Sequence, residues 1–452
     1  MRRKVIALFL LVPVTPLFLQ AQGPPNPDPP LTITLQDALE RAMKYGAQVE
    51  TANIALQLAK EDLRQARAAK LPTANGLNQF IYTEGNGTPS GVFIANDGVH
   101  VYNEQLLGHE DLLALMRRGE IRQAQAAAAV ARAKADVALR GLNATVVQDY
   151  YGVADAQRKL QNAQTSLTEA QHFLDITQKQ ERGGEAAHAD VIKAQIQVQQ
   201  RHRDLQDAQL AIEKAKDALA VLIFPTLRSD YTIVDDMAQL PILPALPEVI
   251  ARAHTNSPDL RAAEAGLSQA RAGVSVSKYA YLPSFGLDVA YGIDANQFAA
   301  QTDYSTFATG RSTFPAIQVP FRQNLGYSAQ ATLNIPLWDW GSIHSKVKQA
   351  SLRERQAEVD LSLTQRQLEA QLATNYQEAQ TALMQVDSLR SSSDLSAESL
   401  RLTLLRYQAG EATSLEVVDA QTTASLARNA YDDGLLRYRV AMATLQTLTG
   451  TF

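Results

Sequence analysis

Four stretches of the chain keep small and apolar residues at helical spacing without an interrupting proline. They run from about residue 121 to 180, 190 to 222, 342 to 405 and 414 to 448. At ~1.5 Å per residue, a helix of about 60 residues is a rod of about 90 Å. Helices of this length need a partner along their whole length. The pattern therefore predicts two long hairpins that pack as coiled coils.

Residues 285–291 and 327–335 instead alternate between apolar residues and small or polar ones, which is the period of a β-strand. Strands of about nine or ten residues with one apolar and one polar face are typical of transmembrane β-barrels. Residues 76–83 and 99–106 occupy equivalent positions earlier in the chain, with imperfect alternation. A soluble hairpin or a small sandwich stays an alternative for these segments. The polar residues at 293–326 predict a solvent loop.

The second half of the chain repeats motifs of the first half. Arg41-Ala42 recurs as Arg252-Ala253, and Leu71-Pro72 recurs as Leu282-Pro283, at one constant separation. An ungapped register that includes a Leu-Pro pair is improbable for unrelated alanine-rich helices. The sequence therefore indicates an internal twofold duplication.

The turns of the two hairpins also match. Aligning Gly184 with Gly410 places Asp190 on Glu416. With these boundaries, we divide the chain after its leader into a first repeat at 32–226, a linker at 227–245 and a second repeat at 246–452.

The N-terminus has the features of a secretory signal peptide. Arg2, Arg3 and Lys4 precede an apolar run at 5–18, and a permissive cleavage position follows at Ala21. An uncleaved anchor is the alternative, but about 14 apolar residues are fewer than the ~20 of a spanning helix. We assign residues 1–21 to a signal peptide and 22–31 to a proline-rich leader, which predicts an envelope or secreted protein.

Composition argues against several classes of function. The net charge is −5, whereas nucleic-acid binding requires a basic face. The chain has no cysteine, its seven histidines are scattered, and it contains no phosphate-binding loop or nucleophile elbow. Glu416 and Asp419 lack the apolar pocket that would separate the pKa values of an acid and a base. We therefore expect no enzyme, no catalytic residues, no metal and no other cofactor.

Acidic residues at the hairpin turns have another use in a symmetric assembly. About four strands cannot close a barrel, but three copies would supply about twelve. Glu416, Asp419 and Asp190 would then each repeat around one axis, and rings of carboxylates attract cations at a constriction. The alternative is that these acids only cap or solubilise a helix start.

Several of these features together resemble the TolC-like outer-membrane efflux proteins, also called outer membrane factors. They are the signal peptide, the duplication, the glycine turns and the strand end Ile335-Pro336-Leu337-Trp338-Asp339-Trp340-Gly341. The likeness extends over essentially the whole mature chain. It implies a mixed, mainly α protein: a homotrimer with a long coiled-coil α-helical tunnel across the periplasm, joined to a transmembrane β-barrel with four strands from each protomer.

The function implied by this resemblance is a passive export duct in the cell outer membrane, for tripartite efflux or type I secretion. Its partners would be a periplasmic adaptor, an inner-membrane pump and outer-membrane lipid, with no nucleic acid. Trp338 and Trp340 follow a predicted strand, where interfacial aromatic residues are expected. A soluble periplasmic coiled-coil adaptor or scaffold is the alternative. The sequence does not indicate what is exported.

The resemblance also implies roles for residues at the turns. Glu416 and Asp419 match carboxylates that ring a periplasmic gate, and Tyr407 matches a tyrosine that hydrogen-bonds the acid at Asp190. The family's second link, through an arginine, is missing because that position is Ala412. The turns that would dock the adaptor contain Gly183, Gly184 and Glu185 in the first repeat and Gly410 and Glu411 in the second.

Overall fold

The computed structural model describes residues 31–83, 99–112, 115–295 and 325–451. The predicted signal peptide, nearly all of the leader and most of the predicted loop at 293–326 lie outside these residues. In chain order the elements are β1 Leu31–Ile33, α1 Leu35–Tyr45, α2 Ala47–Ala68, β2 Thr73–Thr83, β3 Val99–Asp111, α3 Leu115–Gly183, α4 His188–Ile223, β4 Tyr231–Ile233, α5 Leu246–Asn256, α6 Pro258–Tyr279, β5 Ser284–Ala295, β6 Leu325–Asn334, α7 Ser342–Gln408 and α8 Ser414–Thr449.

The prediction of a mainly helical chain with two long hairpins is confirmed. Helix α3 has 69 residues and α7 has 67, and each turns back into a helix of 36 residues, α4 or α8. The order of elements, a short strand, two helices, two strands and two long helices, occurs twice along the chain. Duplication of the sequence itself stays a prediction. None of the described helices has an apolar stretch long enough and free enough of charge to cross a bilayer.

The strands β2, β3, β5 and β6 form one antiparallel sheet in that order. The first two strands are not an isolated hairpin, because β3 pairs with β5 over residues 102–111. A membrane location for these strands stays a prediction. Strand β3 also extends beyond residue 106, as far as Asp111. The expected loop at 293–326 starts too early, since the backbone remains paired through Ala295.

All four strands connect to helices at the same end of this sheet. Thr73 at the start of β2 pairs with His109 near the end of β3, and Ser284 at the start of β5 pairs with Asn334 at the end of β6. Helices α2, α3, α6 and α7 continue from these four strand ends. Neighbouring helices pack in the same order as the strands. Because α3 and α7 have 69 and 67 residues, the turns at their other ends lie far from the sheet.

A compact core surrounds the predicted linker midway along the helices. Strands β1 and β4 pair in parallel, and Ile33, Tyr150, Tyr231 and Met237 are buried there. The Tyr150 hydroxyl donates a 2.7 Å hydrogen bond to the backbone oxygen of Val234. These contacts attach the connection between the two halves to α3. It is therefore an integral part of the fold and not a free spacer.

Candidate functional site

The turn between α3 and α4 is a glycine-terminated helix end. Gly184 has a φ of 79°, which favours a residue without a Cβ atom. The amide of Glu185 donates to the carbonyl of Gln180 at 2.8 Å, and the amide of Gly184 donates to that of Glu181 at 2.9 Å. These two hydrogen bonds define a Schellman motif, which satisfies the last carbonyl groups of the helix.

The turn between α7 and α8 has the same hydrogen-bond pattern. Gly410 has a φ of 77°, and the amide of Glu411 donates to the carbonyl of Arg406 at 2.8 Å. The amide of Gly410 donates to the carbonyl of Tyr407 at 3.0 Å. A Cβ atom built on either turn glycine, Gly184 or Gly410, would meet nothing within 4 Å, so both turns face open space. Two geometrically equivalent, accessible turns therefore lie at the end of the helical hairpins that is remote from the sheet.

The helices that follow the two turns begin differently, and Glu416 shows why. The Thr413 hydroxyl oxygen accepts from the amide of Glu416 at 3.3 Å, and Glu416 Oε1 accepts from the amide of Thr413 at 3.1 Å. This reciprocal pair is a capping box. The hydrogen bonds from Thr413, and then the charge of Arg406, hold the pKa of Glu416 below its usual value. The structure thus gives Glu416 the capping role that the sequence analysis left as the alternative; a role in a ring stays a prediction.

Asp190 occupies the matching position in α4 but makes different contacts. The helix cap there is Ala187, which has no side-chain oxygen to complete a capping box. Asp190 Oδ1 instead accepts a 2.6 Å hydrogen bond from the Ser414 hydroxyl, across the gap between the two hairpins. Lys193 donates a second bond at 3.3 Å. The Ser414 hydrogen bond is the main reason that the pKa of Asp190 is lowered.

Tyr407 does not bond Asp190 within the chain, which corrects the contact implied by the resemblance. Its side chain is only 6% exposed, because it packs edge-on against Phe173 with the ring centres 5.1 Å apart. Its hydroxyl lies 3.4 Å from Thr177 Oγ1, to which it donates. Phe173, Tyr407, Ala194 and Val417 form a small buried cluster, the tip cluster, that joins the two hairpins just above their turns.

The remaining predicted residues at the turns are solvent-facing. Asp419 is exposed and makes no hydrogen bond or ion pair within the described part of the chain. Gly183, Glu185 and Glu411 are exposed as well. Ala412, where the resemblance expects an arginine, packs partly buried against the tip cluster. The carboxylates of Asp419, Glu185 and Glu411 therefore have no local partner among the described residues.

Sequence reasoning missed a polar seam between α3 and α8 above the tip cluster. Arg428 holds Glu169 with two hydrogen bonds of 2.9 Å, and Asn162 donates to Asp432 at 2.8 Å. Asp432 is buried, and desolvation raises its pKa despite the nearby cations. The signal was present as polar residues every three or four positions along α3, but that pattern is common on exposed helices.

Trp338 and Trp340 lie at the opposite end, in the connection from β6 to α7. Both are strongly exposed, at 76% and 89%, with their ring centres 5.7 Å apart. Trp340 has a φ of 55° and Gly341 one of 81°. Asp339 accepts a 3.0 Å hydrogen bond from the amide of Gly341 and another from the amide of Ile343. The Asp-x-Gly sequence therefore builds the start of α7 and holds the tryptophans outward.

Among the described residues, no group of three or more side chains of the metal-binding types lies close enough to hold an ion. The expectation that the protein uses no metal or other cofactor stays a prediction.

Comparison with known proteins shows which family the second half of the chain resembles. Residues 249–451 match the family model described as outer membrane efflux protein. The cation efflux system protein CusC of Escherichia coli strain K12 is 24% identical over 425 residues, covering 91% of this chain and 85% of its own length. Over residues 249–451 the chain is similar to the outer membrane efflux proteins. The family name also agrees with a location in the outer membrane.

Other relatives show the same similarity. The pyoverdine export outer membrane protein OpmQ of Pseudomonas putida is 27% identical over 317 residues, covering 64% of this chain and 60% of its own. The solved structure of the outer membrane protein VceC of Vibrio cholerae superposes with a TM-score of 0.77 at 16% identity, covering 92% of this chain and 96% of its own. At that identity the superposition establishes the fold alone.

Proposed function

We propose that this protein is an outer membrane efflux protein and the passive export duct of a tripartite efflux system. One observation carries the proposal. At one end of the four-stranded sheet, each strand continues directly into a helix, and the helices pack in the same order as the strands. A path that is lined by strands in the membrane would continue into one that is lined by helices in the periplasm. The relatives, which are outer-membrane efflux and export proteins, support this function over a soluble scaffold.

Trimerisation is part of the proposal because one protomer leaves its sheet open. Strands β2 and β6 are the two edges and neither has an outer neighbour in the described chain. Unpaired strand edges in hydrocarbon cost several kcal/mol per backbone group, so a membrane sheet must close. Four strands are too few to close alone, and three copies would give a barrel of about twelve.

The two faces of the sheet support this arrangement. Leu106, Tyr291 and Tyr327 lie side by side across three strands, and all are exposed. The opposite face carries His109 and Asp288, joined by a 2.7 Å hydrogen bond. An apolar outer face and a polar inner face are what a membrane barrel with a water-filled interior requires.

The turns would be the regulated end of the duct. Asp419 from each protomer would form an acidic ring, with Glu416 one helical turn away and Asp190 joined to Ser414 behind it. The accessible turns at Gly183, Gly184 and Glu185 and at Gly410 and Glu411 would receive the periplasmic adaptor, which in turn would contact the inner-membrane pump. The signal peptide at 1–21 and the repeats at 32–226 and 246–452 complete the proposed organisation. Relatives named for cations and for pyoverdine differ too much to assign what this protein exports.

Purification followed by reconstitution tests the proposal. We expect the protein to require detergent, to have the mass of three chains by light scattering, and to conduct ions when added to planar bilayers. A protein that is monomeric and fully soluble without detergent would contradict it and return the chain to the scaffold class.

A further inference from the structure

The helix ends next to the sheet carry exposed basic side chains that have no acidic partner among the described residues. We call this group the basic belt. Its members are Arg67 in the last turn of α2, Lys70 just after α2, Arg118 and Arg122 in α3, Lys278 in α6, and Lys346 and Lys348 in α7. None of them forms an ion pair with another described residue.

Three acidic residues beside the basic belt are already engaged, whereas the Glu110 carboxylate has no partner among the described residues. Asp111 lies 3.3 Å and Glu120 lies 3.0 Å from nitrogens of Arg117, which is not a member of the belt. Asp339 accepts from backbone amides at the start of α7. The helix ends next to the sheet therefore keep an excess of positive charge.

This excess is local and does not follow from composition, since the whole chain has a net charge of −5. The opposite end of the two hairpins carries Glu185 and Glu411 in the turns, Asp190 in α4, and Glu416 and Asp419 in α8. The helix rods are therefore positive beside the sheet and negative at the turns.

Trp338 and Trp340 give the basic belt its position relative to a membrane. Exposed tryptophans concentrate at the boundary between hydrocarbon and water. Lys346 and Lys348 lie about 6 to 9 Å along α7 from its first residue at ~1.5 Å per residue. The headgroup layer on each side of a bilayer is about 5 to 7 Å thick, and the Debye length is about 8 Å at physiological salt. These side chains are therefore within electrostatic reach of lipid phosphates.

A recess between α3 and α6 adds hydrogen-bond donors near the belt. It has a volume of about 450 Å³, is open to solvent, and is lined by alanines and by polar side chains that include Arg122, Gln125 and Ser268. Arg271 also lines it but lies 3.4 Å from Glu354. Arginine, amide and hydroxyl donors together suit phosphate oxygens.

We propose that the basic belt binds the anionic phospholipid headgroups of the membrane leaflet that faces the helices. This proposal rests on the proposed function, because the sheet must span the membrane for the belt to meet that leaflet. The occupant is a lipid surface: the belt extends across four helices beside exposed tryptophans, whereas a soluble anion would occupy the recess alone.

The tryptophans provide a direct measurement, because Trp338 and Trp340 are the only two in the chain. The full-length protein is reconstituted in phosphatidylcholine vesicles that contain brominated phosphatidylglycerol or, in a parallel sample, brominated phosphatidylcholine. We expect brominated phosphatidylglycerol to quench the fluorescence at lower mole fraction. Each basic residue near an anionic surface strengthens binding about fivefold, and 1 M salt should remove most of the preference.

The test variant combines R118Q, K278Q, K346Q and K348Q. We expect its preference for phosphatidylglycerol to fall at least about fivefold relative to the wild type. The matched control combines R132Q, K134Q, K214Q and R390Q, which remove the same charge from exposed positions on the helix shafts. Circular dichroism and the mass of the detergent-solubilised protein confirm that both variants keep the fold.

The outcomes separate this proposal from the proposed function. Equal quenching of the wild type by the two brominated lipids, or a preference that the test variant keeps, overturns the lipid proposal and leaves the duct intact. The absence of quenching by either lipid contradicts the membrane-spanning sheet itself.

Discussion

Replacing Ser414 by alanine removes the hydrogen bond that joins the first helix turn of α8 to Asp190 of α4. Hydrogen bonds to charged groups contribute about 1.5 to 3 kcal/mol. The Asp190 side chain is 27% exposed and keeps Lys193 as a partner, so water recovers part of that energy. We therefore expect a loss of about 1 kcal/mol, since solvent screening weakens such pairs.

In a duct whose closed state needs the two hairpins together, that loss shifts the ratio of open to closed channels about fivefold. Single-channel recordings in planar bilayers measure this ratio directly. Ser392→Ala is the control, because Ser392 is exposed on the same hairpin and its side chain makes no hydrogen bond among the described residues.

The pH dependence supplies a second measurement on the same variants. The pKa of Asp190 lies below its usual value of 3.8, so its contribution is complete above about pH 5. That contribution is lost as the pH falls through the lowered pKa. Wild-type channels should therefore open more at low pH, and Ser414→Ala channels should show less of this change. The reasoning would be refuted if the wild type, Ser414→Ala and Ser392→Ala gave identical recordings both above about pH 5 and at a pH near the lowered pKa of Asp190.

Three further pairs of substitutions test neighbouring features. Gly410→Ala forces a side chain into the left-handed region and should destabilise the protein by about 1 to 2 kcal/mol in thermal unfolding, whereas Gly141→Ala, in mid-helix with open space around it, should stabilise it by up to about 1 kcal/mol. Tyr407→Phe should leave conductance close to wild type because the hydroxyl contact is long, while Tyr407→Ala should cost about 3 to 5 kcal/mol of stability; a Phe variant that opens the channel would show that the hydroxyl has the gating role. Asp419→Asn should lower cation selectivity, measured as a reversal potential, without affecting stability. Glu416→Ala should lower selectivity too, and should in addition reduce stability by about 1 kcal/mol through loss of the capping box. A selectivity that survives both substitutions would leave these acids with local roles only.

The elements of this chain were predictable where a single period extends over many residues. The long helices and strands β5 and β6 have clear periods, and both turn glycines mark the ends of α3 and α7. Strand β3 was harder, because Leu106 to Glu110 alternates poorly. Its extent follows from backbone pairing with β5, which the side-chain pattern does not encode.

The contacts at the turns were harder to predict than the turns themselves. Asp190 and Glu416 occupy equivalent positions, yet one reaches across to Ser414 and the other caps its own helix. The difference depends on Ala187 standing where α8 has Thr413, and on how the hairpins lie against each other. Tyr407 likewise packs against Phe173, Ala194 and Val417, which come from three other helices. Such contacts depend on tertiary arrangement and not on local spacing.

The length of α3 gives its uninterrupted path a mechanical consequence. A helix of 69 residues is about 100 Å long. If the end beside the sheet acts as a pivot, a tilt of about 3° there displaces the far end by about 5 Å, roughly the rise of one helical turn. A lever of this length converts a small angular change near the membrane into a displacement that is larger than the hydrogen bond between Ser414 and Asp190 can bridge. The width of the far end would then be controlled by angles of a few degrees, and unfolding of the helices would not be needed to change it.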